Sequence, residues 1–168
     1  MLRCMFDDLL AENDLYVKQF ALAGVSGRAA REFALVTCMD SRIEPLAMLG
    51  LVPGDAKILR NAGGRVTPDV LRSLVLATNL LGVRRIAVMQ HTKCALAGRT
   101  DEDVRSELPP HRREESADWV FLTMPDPDVA LEADVDAVRA CPLVPAEVLV
   151  EGWRYRVEDG AVLRLIPS

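Results

Sequence analysis

Cys38, His91 and Cys94 are the side chains best suited to hold a metal ion, and the runs before them suggest how they could meet. Phe33-Ala34-Leu35-Val36-Thr37 is apolar and strand-like and leads into Cys38, with Asp40 and Arg42 just beyond; Arg85-Ile86-Ala87-Val88-Met89-Gln90 is a second such run and leads into His91-Thr92-Lys93-Cys94. In a parallel α/β sheet, ligands gather beyond the carboxyl ends of strands, so adjacent strands ending here would bring both thiols and the imidazole into one pocket. Thiolate and imidazole suit Zn²⁺. Three protein ligands and one exchangeable position make a catalytic zinc rather than a structural one. Two other readings compete: unligated core thiols packed as small hydrophobes, and a closed structural zinc with Asp40 as its fourth ligand.

Side chains two apart on an extended segment point the same way, so Asp40 and Arg42 can both face that pocket. A carboxylate beside a guanidinium stays ionised and keeps a fixed direction through charge-assisted hydrogen bonds. The plainer alternative is an ordinary salt bridge. A phosphatase loop running from Cys38 to Arg42 is excluded, because so short a segment cannot wrap a phosphate.

Taken in order, Cys38-Met39-Asp40-Ser41-Arg42, Arg60-Asn61-Ala62-Gly63-Gly64 and His91-Thr92-Lys93-Cys94 resemble the β-class carbonic anhydrases, over residues 33 to about 98. The resemblance implies Zn²⁺ on Cys38, His91 and Cys94, and a gating dyad of Asp40 and Arg42, with Asp40 a possible fourth ligand in a closed state. It also implies reversible hydration of CO₂ to bicarbonate by a zinc-bound hydroxide. A homodimer or larger homo-oligomer, with an N-terminal helical arm packed across a second subunit, follows from the same likeness. Hydrolysis of CS₂ or COS on the same scaffold is an alternative function, and so is a carbonic-anhydrase-like protein that keeps zinc without turnover. Two positions depart from the family pattern: Lys93 stands where a small or acidic residue is frequent, and Ala95 where glycine is usual. A cation and a methyl group beside the metal alter pocket width or the acidity of bound water.

The chain of 168 residues is one domain's worth, taken as 1–168 with an arm over 1–28, and a chain of this size buries roughly 70% of its unfolded surface. A formal charge of −5 and a pI near 5.1 argue against a nucleic-acid partner, because phosphate binding needs a basic face. Met1 to Asp8 carries acids where a signal peptide needs an apolar core, and no run is long enough to span a membrane. The expectation is a soluble cytoplasmic protein. Thiolate ligands at Cys38 and Cys94 fit a reducing compartment, and Cys4 and Cys141 are then free thiols.

The elements follow from pattern. Phe6, Leu9, Leu10, Tyr16, Val17 and Phe20 recur at helical spacing between residue 3 and about 23, with Gly24 and Ser26-Gly27 as the stop. That stripe is either own-domain core or interface. Phe33–Thr37 lacks alternation, as a strand buried on both faces does. Residues 42–49 read as a short helical turn, and Lys57–Arg60 as a strand that delivers Asn61-Ala62-Gly63-Gly64 to the metal end of the sheet. Gly63 and Gly64 permit positive φ and could line the substrate pocket with their amides, while Arg60 and Asn61 read as scaffold.

Thr67, Pro68 and Asp69 open a helix that runs to Gly82, which makes residues 57–90 a right-handed βαβ unit. Ala95–Ala97 begins a short helix. Residues 99–118 are a charged loop or short helix with His111 exposed, and Trp119–Leu122 reads as a strand. Asp126-Pro127-Asp128 caps a helix to about Arg139. Val148–Val157 and Val162–Ile166 form a hairpin about Glu158-Asp159-Gly160. The fold class expected is α/β: a central, mainly parallel β-sheet with flanking helices, an N-terminal helical arm and a C-terminal antiparallel edge hairpin.

Overall fold

A computed structural model describes residues 5–168, so Cys4 lies outside the described residues. Strand β1 (Phe33–Cys38) is buried at every position and lies between β2 (Ala56–Asn61) and β3 (Arg85–His91). The sheet continues through β4 (Leu149–Tyr155) to the edge strand β5 (Val162–Ile166), giving the order β2-β1-β3-β4-β5. All pairings are parallel except β4 with β5. Thr37 stands opposite Met89 and Cys38 opposite Asn61. The chain segments that follow β1, β2 and β3 therefore leave the sheet along the same edge.

The two faces are covered differently. Ala34, Val36, Ile86, Val88 and Val150 pack on Leu74 and Ala77 of α3 (Pro68–Leu80) and on Leu131, Val135 and Val138 of α6 (Pro127–Arg139). Both helices start as their sequences dictate: Thr67 Oγ1 accepts from Val70 N, and Asp126 accepts from the amides of Asp128 and Val129. On the other face Phe33, Leu35, Ala87 and Met89 meet Ile43 and Met124, and the cluster includes Cys38 and Cys94. Its helical cover is slight. The four-residue α2 (Pro45–Met48) and its flanking loop pack there through Met48, Leu49 and Leu51, and α6 contributes Ala130.

Helix α1 (Asp7–Val17) is shorter than its apolar pattern and buries none of its residues. Phe6, Leu9, Leu10, Tyr16, Val17 and Phe20 are all exposed, so the stripe is not part of the described core. Residues 99–118 form two helices, α4 (Asp101–Glu107) and α5 (Pro110–Glu115). A capping box between Thr100 and Asp103 starts the first, Pro110 the second, and His111 is exposed as expected.

Two local expectations fail. Trp119–Leu122 is no strand: Trp119 and Val120 are exposed and Leu122 has φ +55°. Side chains take up its backbone groups instead, Asp101 accepting from the amides of Phe121 and Thr123 while Arg105 donates to the carbonyl of Trp119. Ala95–Ala97 makes a single turn, closed by Ala97 N donating to Cys94 O, because Ala97 is held in a bridge with Met124.

One buried ion pair ties α6 to the glycine segment after β2. Arg65 Nε donates to Asp134 Oδ2 at 2.6 Å, and Asp134 Oδ1 accepts from Val66 N at 3.1 Å. Removing one partner of a buried pair leaves the other charged and unsolvated, which costs about 3 kcal/mol or more. Asp134→Ala should therefore lower the urea midpoint by that equivalent with an unchanged slope, and an unchanged midpoint would show that the pair adds nothing to the fold.

Candidate metal centre

Cys38 ends β1, His91 ends β3, and Cys94 follows a turn, and the sheet register brings all three together. One ligand atom from each lies within 4.8 Å of the other two, and all three residues are buried. They are the only such set of three or more His, Cys, Asp or Glu among the described residues. A single tetrahedral ion about 2.0–2.3 Å from each atom suits this spacing and this donor set.

The histidine supplies the sharper test of fit. Its Nδ1 lies 2.9 Å from the carbonyl oxygen of Thr92, which fixes the tautomer: Nδ1 carries the proton and Nε2 the lone pair. Nε2 is buried and has no hydrogen-bond partner. A buried acceptor left unsatisfied costs free energy, and a cation placed among the three donors removes that cost.

The two thiols share a negative charge unequally. Cys38 falls well below the ordinary thiol range, first because the Cys94 thiol donates to it, with further help from the amides of Asp40 and Gly63. Cys94 is pushed up by giving that hydrogen bond and by burial. Burial alone would lower the pKa of His91, but the Cys38 sulfur beside it prevails and raises it. The centre thus favours an anionic sulfur facing a cation.

Asp40 and Arg42 form a two-point pair. Arg42 Nε donates to Oδ1 at 2.9 Å and Nη2 to Oδ2 at 2.7 Å, while the Arg42 amide adds a third bond to Oδ1 at 3.0 Å. These bonds hold the Asp40 carboxyl well below the usual carboxylate range, the side-chain bonds contributing most. The same Nη2 donates to the carbonyl of Lys93 at 3.1 Å. Asp40 Oδ2 stands 3.8 Å from His91 Nε2, so the carboxylate lies beside the ligand set while bound to arginine.

Arg60 and Asn61 act on the backbone, as scaffold residues should. Arg60 donates to the carbonyls of Cys38 and Asp40, and Asn61 closes the glycine segment by exchanging two hydrogen bonds with the backbone of Arg65. Gly63 and Gly64 have φ of +76° and +67° and are buried. A Cβ on Gly64 would lie 2.9 Å from Cys38 N and from Thr37 C. Gly64 is therefore needed for close approach to β1.

Lys93 points its ammonium at Glu158, 3.3 Å away, and Ala95 is exposed. Pattern reading passed over Thr92, Glu158 and Asp134. Glu158 read only as part of a turn signal, and nothing in its neighbours hints that it reaches the metal loop.

A parallel sheet that gathers two thiols and an imidazole at its carboxyl edge, with an arginine-held carboxylate beside them, defines a narrow class, and the carbonic anhydrase family profile matches residues 33–119. The chain belongs to the β-carbonic anhydrase family. It is 30% identical over 164 residues to beta-carbonic anhydrase 1 of Mycobacterium tuberculosis, covering 96% of this chain and 98% of that one. It is also 33% identical to a carbon disulfide hydrolase of an Acidianus strain, over 84% of this chain and 81% of the relative. The solved carbonic anhydrase of Streptococcus mutans matches with a TM-score of 0.86 and 36% identity, covering 98% and 99% of the two chains.

Purified protein should carry about one zinc per chain. Cys94→Ser should lose most of it while keeping the fold. Elemental analysis beside circular dichroism checks both, and full zinc content in the variant would remove Cys94 from the ligand set.

Proposed function

We propose that the protein is a zinc-dependent carbonic anhydrase that interconverts CO₂ and bicarbonate, with Cys38, His91 and Cys94 as metal ligands. The observation that carries this reading is the buried, unpartnered His91 Nε2 facing two thiols, with the Asp40 carboxylate 3.8 Å away. Zinc bound there is a Lewis acid that brings the pKa of a coordinated water to about 7. The chain's own residues do the rest. Asp40, kept ionised by Arg42, accepts a hydrogen bond from the nucleophile and so turns its lone pair toward the carbon of CO₂. Arg42 keeps the carboxylate off the metal; were that contact to open, Asp40 would be free to take the fourth position and close the site. His91 keeps its Nδ1 proton directed at the Thr92 carbonyl, which would leave the Nε2 lone pair to hold the ion. The amides of Gly63 and Gly64 border this pocket, that of Gly63 supporting the Cys38 thiolate.

Asp40→Asn should lower the CO₂ hydration rate by about a hundredfold with zinc content unchanged. Wild-type turnover in that variant would refute the role, and a wild-type protein that holds zinc but hydrates no CO₂ would favour a non-catalytic protein. Likeness to the Acidianus carbon disulfide hydrolase supports CS₂ or COS hydrolysis as the second reading. Stopped-flow CO₂ hydration and sulfide release from CS₂, run on one preparation, separate the two.

The same reading takes residues 1–168 as one domain and places it in a reducing cytoplasm, where Cys38 and Cys94 stay out of disulfides and available to the metal. No described helix is long and apolar enough to cross a membrane. We further propose a homodimer or larger homo-oligomer built on the arm. Its exposed Leu9 and Leu10 match in character a groove lined by Phe33, Leu49, Leu51 and Trp153, and the groove's Arg31 and Arg85 complement in charge the acids of the arm. Replacing Leu9 and Leu10 by Asp should reduce the mass measured by light scattering to that of one chain; an unchanged mass would place the interface elsewhere.

A further inference from the structure

Lys93 adopts φ +53° between two metal-ligand positions, a left-handed conformation that is unfavourable for a residue with a Cβ. The turn needs it. Over His91-Thr92-Lys93-Cys94 the chain must leave β3 and double back, so that a strand-end imidazole and a thiol three positions on face the same point. Such conformations persist only where neighbours over-determine them.

Those neighbours come from the far hairpin. Glu158 receives the Thr92 hydroxyl on Oε2 at 2.5 Å and the Lys93 ammonium near Oε1 at 3.3 Å. Thr92 Oγ1 accepts in turn from Val157 N at 3.0 Å, and Thr92 N donates to Tyr155 O at 2.9 Å. One carboxylate thus grips both residues between the ligands. The carbonyls of these two residues are the ones that orient the site: Thr92 O fixes the His91 tautomer, and Lys93 O supports Arg42.

We infer that Glu158 is a positioning residue for the metal centre, locking the Thr92–Lys93 turn from the β4–β5 hairpin and thereby holding His91, Cys94 and Arg42 in register. The inference rests on the metal reading above. It also gives Lys93 a purpose: its charge is spent on Glu158 and turned away from the ligand set.

The test is the rate at which zinc passes from the protein to a chromogenic chelator, for wild type, Glu158→Ala, Glu158→Gln, Lys93→Gly and the Glu158→Ala/Lys93→Gly double variant. Glu158→Ala should release zinc about tenfold faster, as loss of a residue that orients metal ligands does. Glu158→Gln, which can still accept from Thr92 but loses the ion pair, should fall between. Glycine takes positive φ without cost, so in the Lys93→Gly background the effect of Glu158→Ala should shrink to about twofold. In the metal-free protein, the Val157 amide should exchange faster in Glu158→Ala, with circular dichroism unchanged. Wild-type release from Glu158→Ala, or an equal acceleration in both backgrounds, would overturn the inference and leave the metal reading standing. A wild-type protein that binds no zinc would remove both.

Discussion

The register between β1 and β3 is the constraint on which the rest depends. With Thr37 opposite Met89, Cys38 and His91 sit at neighbouring strand ends on one side of the sheet. Because side chains alternate along a strand, a slip of one residue would exchange the two faces of β1 and shift Cys38 along the edge away from His91. The burial of both faces of β1 fixes that register. Leu35 and Val36 are adjacent, point to opposite sides and are both fully buried, so neither can be moved to solvent without loss.

Given that alignment, the chain still has to settle the backbone of three loops that end at the same edge, and it does so with arginines. Arg60 binds carbonyls of the Cys38–Asp40 segment, Arg42 the Lys93 carbonyl, and Arg65 the Leu122 carbonyl along with Asp134. The guanidinium is well suited to this work: a rigid fork of five donors that stays charged under all ordinary conditions. Each of these residues spans segments distant in sequence. The loops are accordingly held by charge-assisted bonds to carbonyls as well as by the apolar packing of Ile43 and Met124.

Much of this was legible beforehand. Strands β1 and β3 announce themselves as unbroken apolar runs, and the side chains just past their ends carry the chemistry, so Cys38, His91 and Cys94 could be grouped from the rule of strand ends alone. The caps at Thr67 and Asp126 marked α3 and α6 for equally local reasons. What stayed hidden was non-local. Trp119–Leu122 has strand-like residues, yet Asp101 and Arg105, distant in the sequence, take its backbone groups and prevent a ladder. Glu158 resembles any turn residue until the hairpin is folded over Thr92. A second demand on Gly64 was hidden too, because only the folded chain reveals the backbone of Thr37 and Cys38 at 2.9 Å from its missing Cβ.

Helix α1 has 11 residues and buries none of them. An isolated helix shorter than about 12–15 residues is marginal in water even for favourable sequences, so in the oligomer proposed above it would draw its persistence from the subunit covering its apolar side. Below the concentration at which that cover dissociates, the segment should fray and become open to proteases while the sheet beneath remains intact. Dilution would then cost the protein its first turns of helix well before it disturbed a single strand.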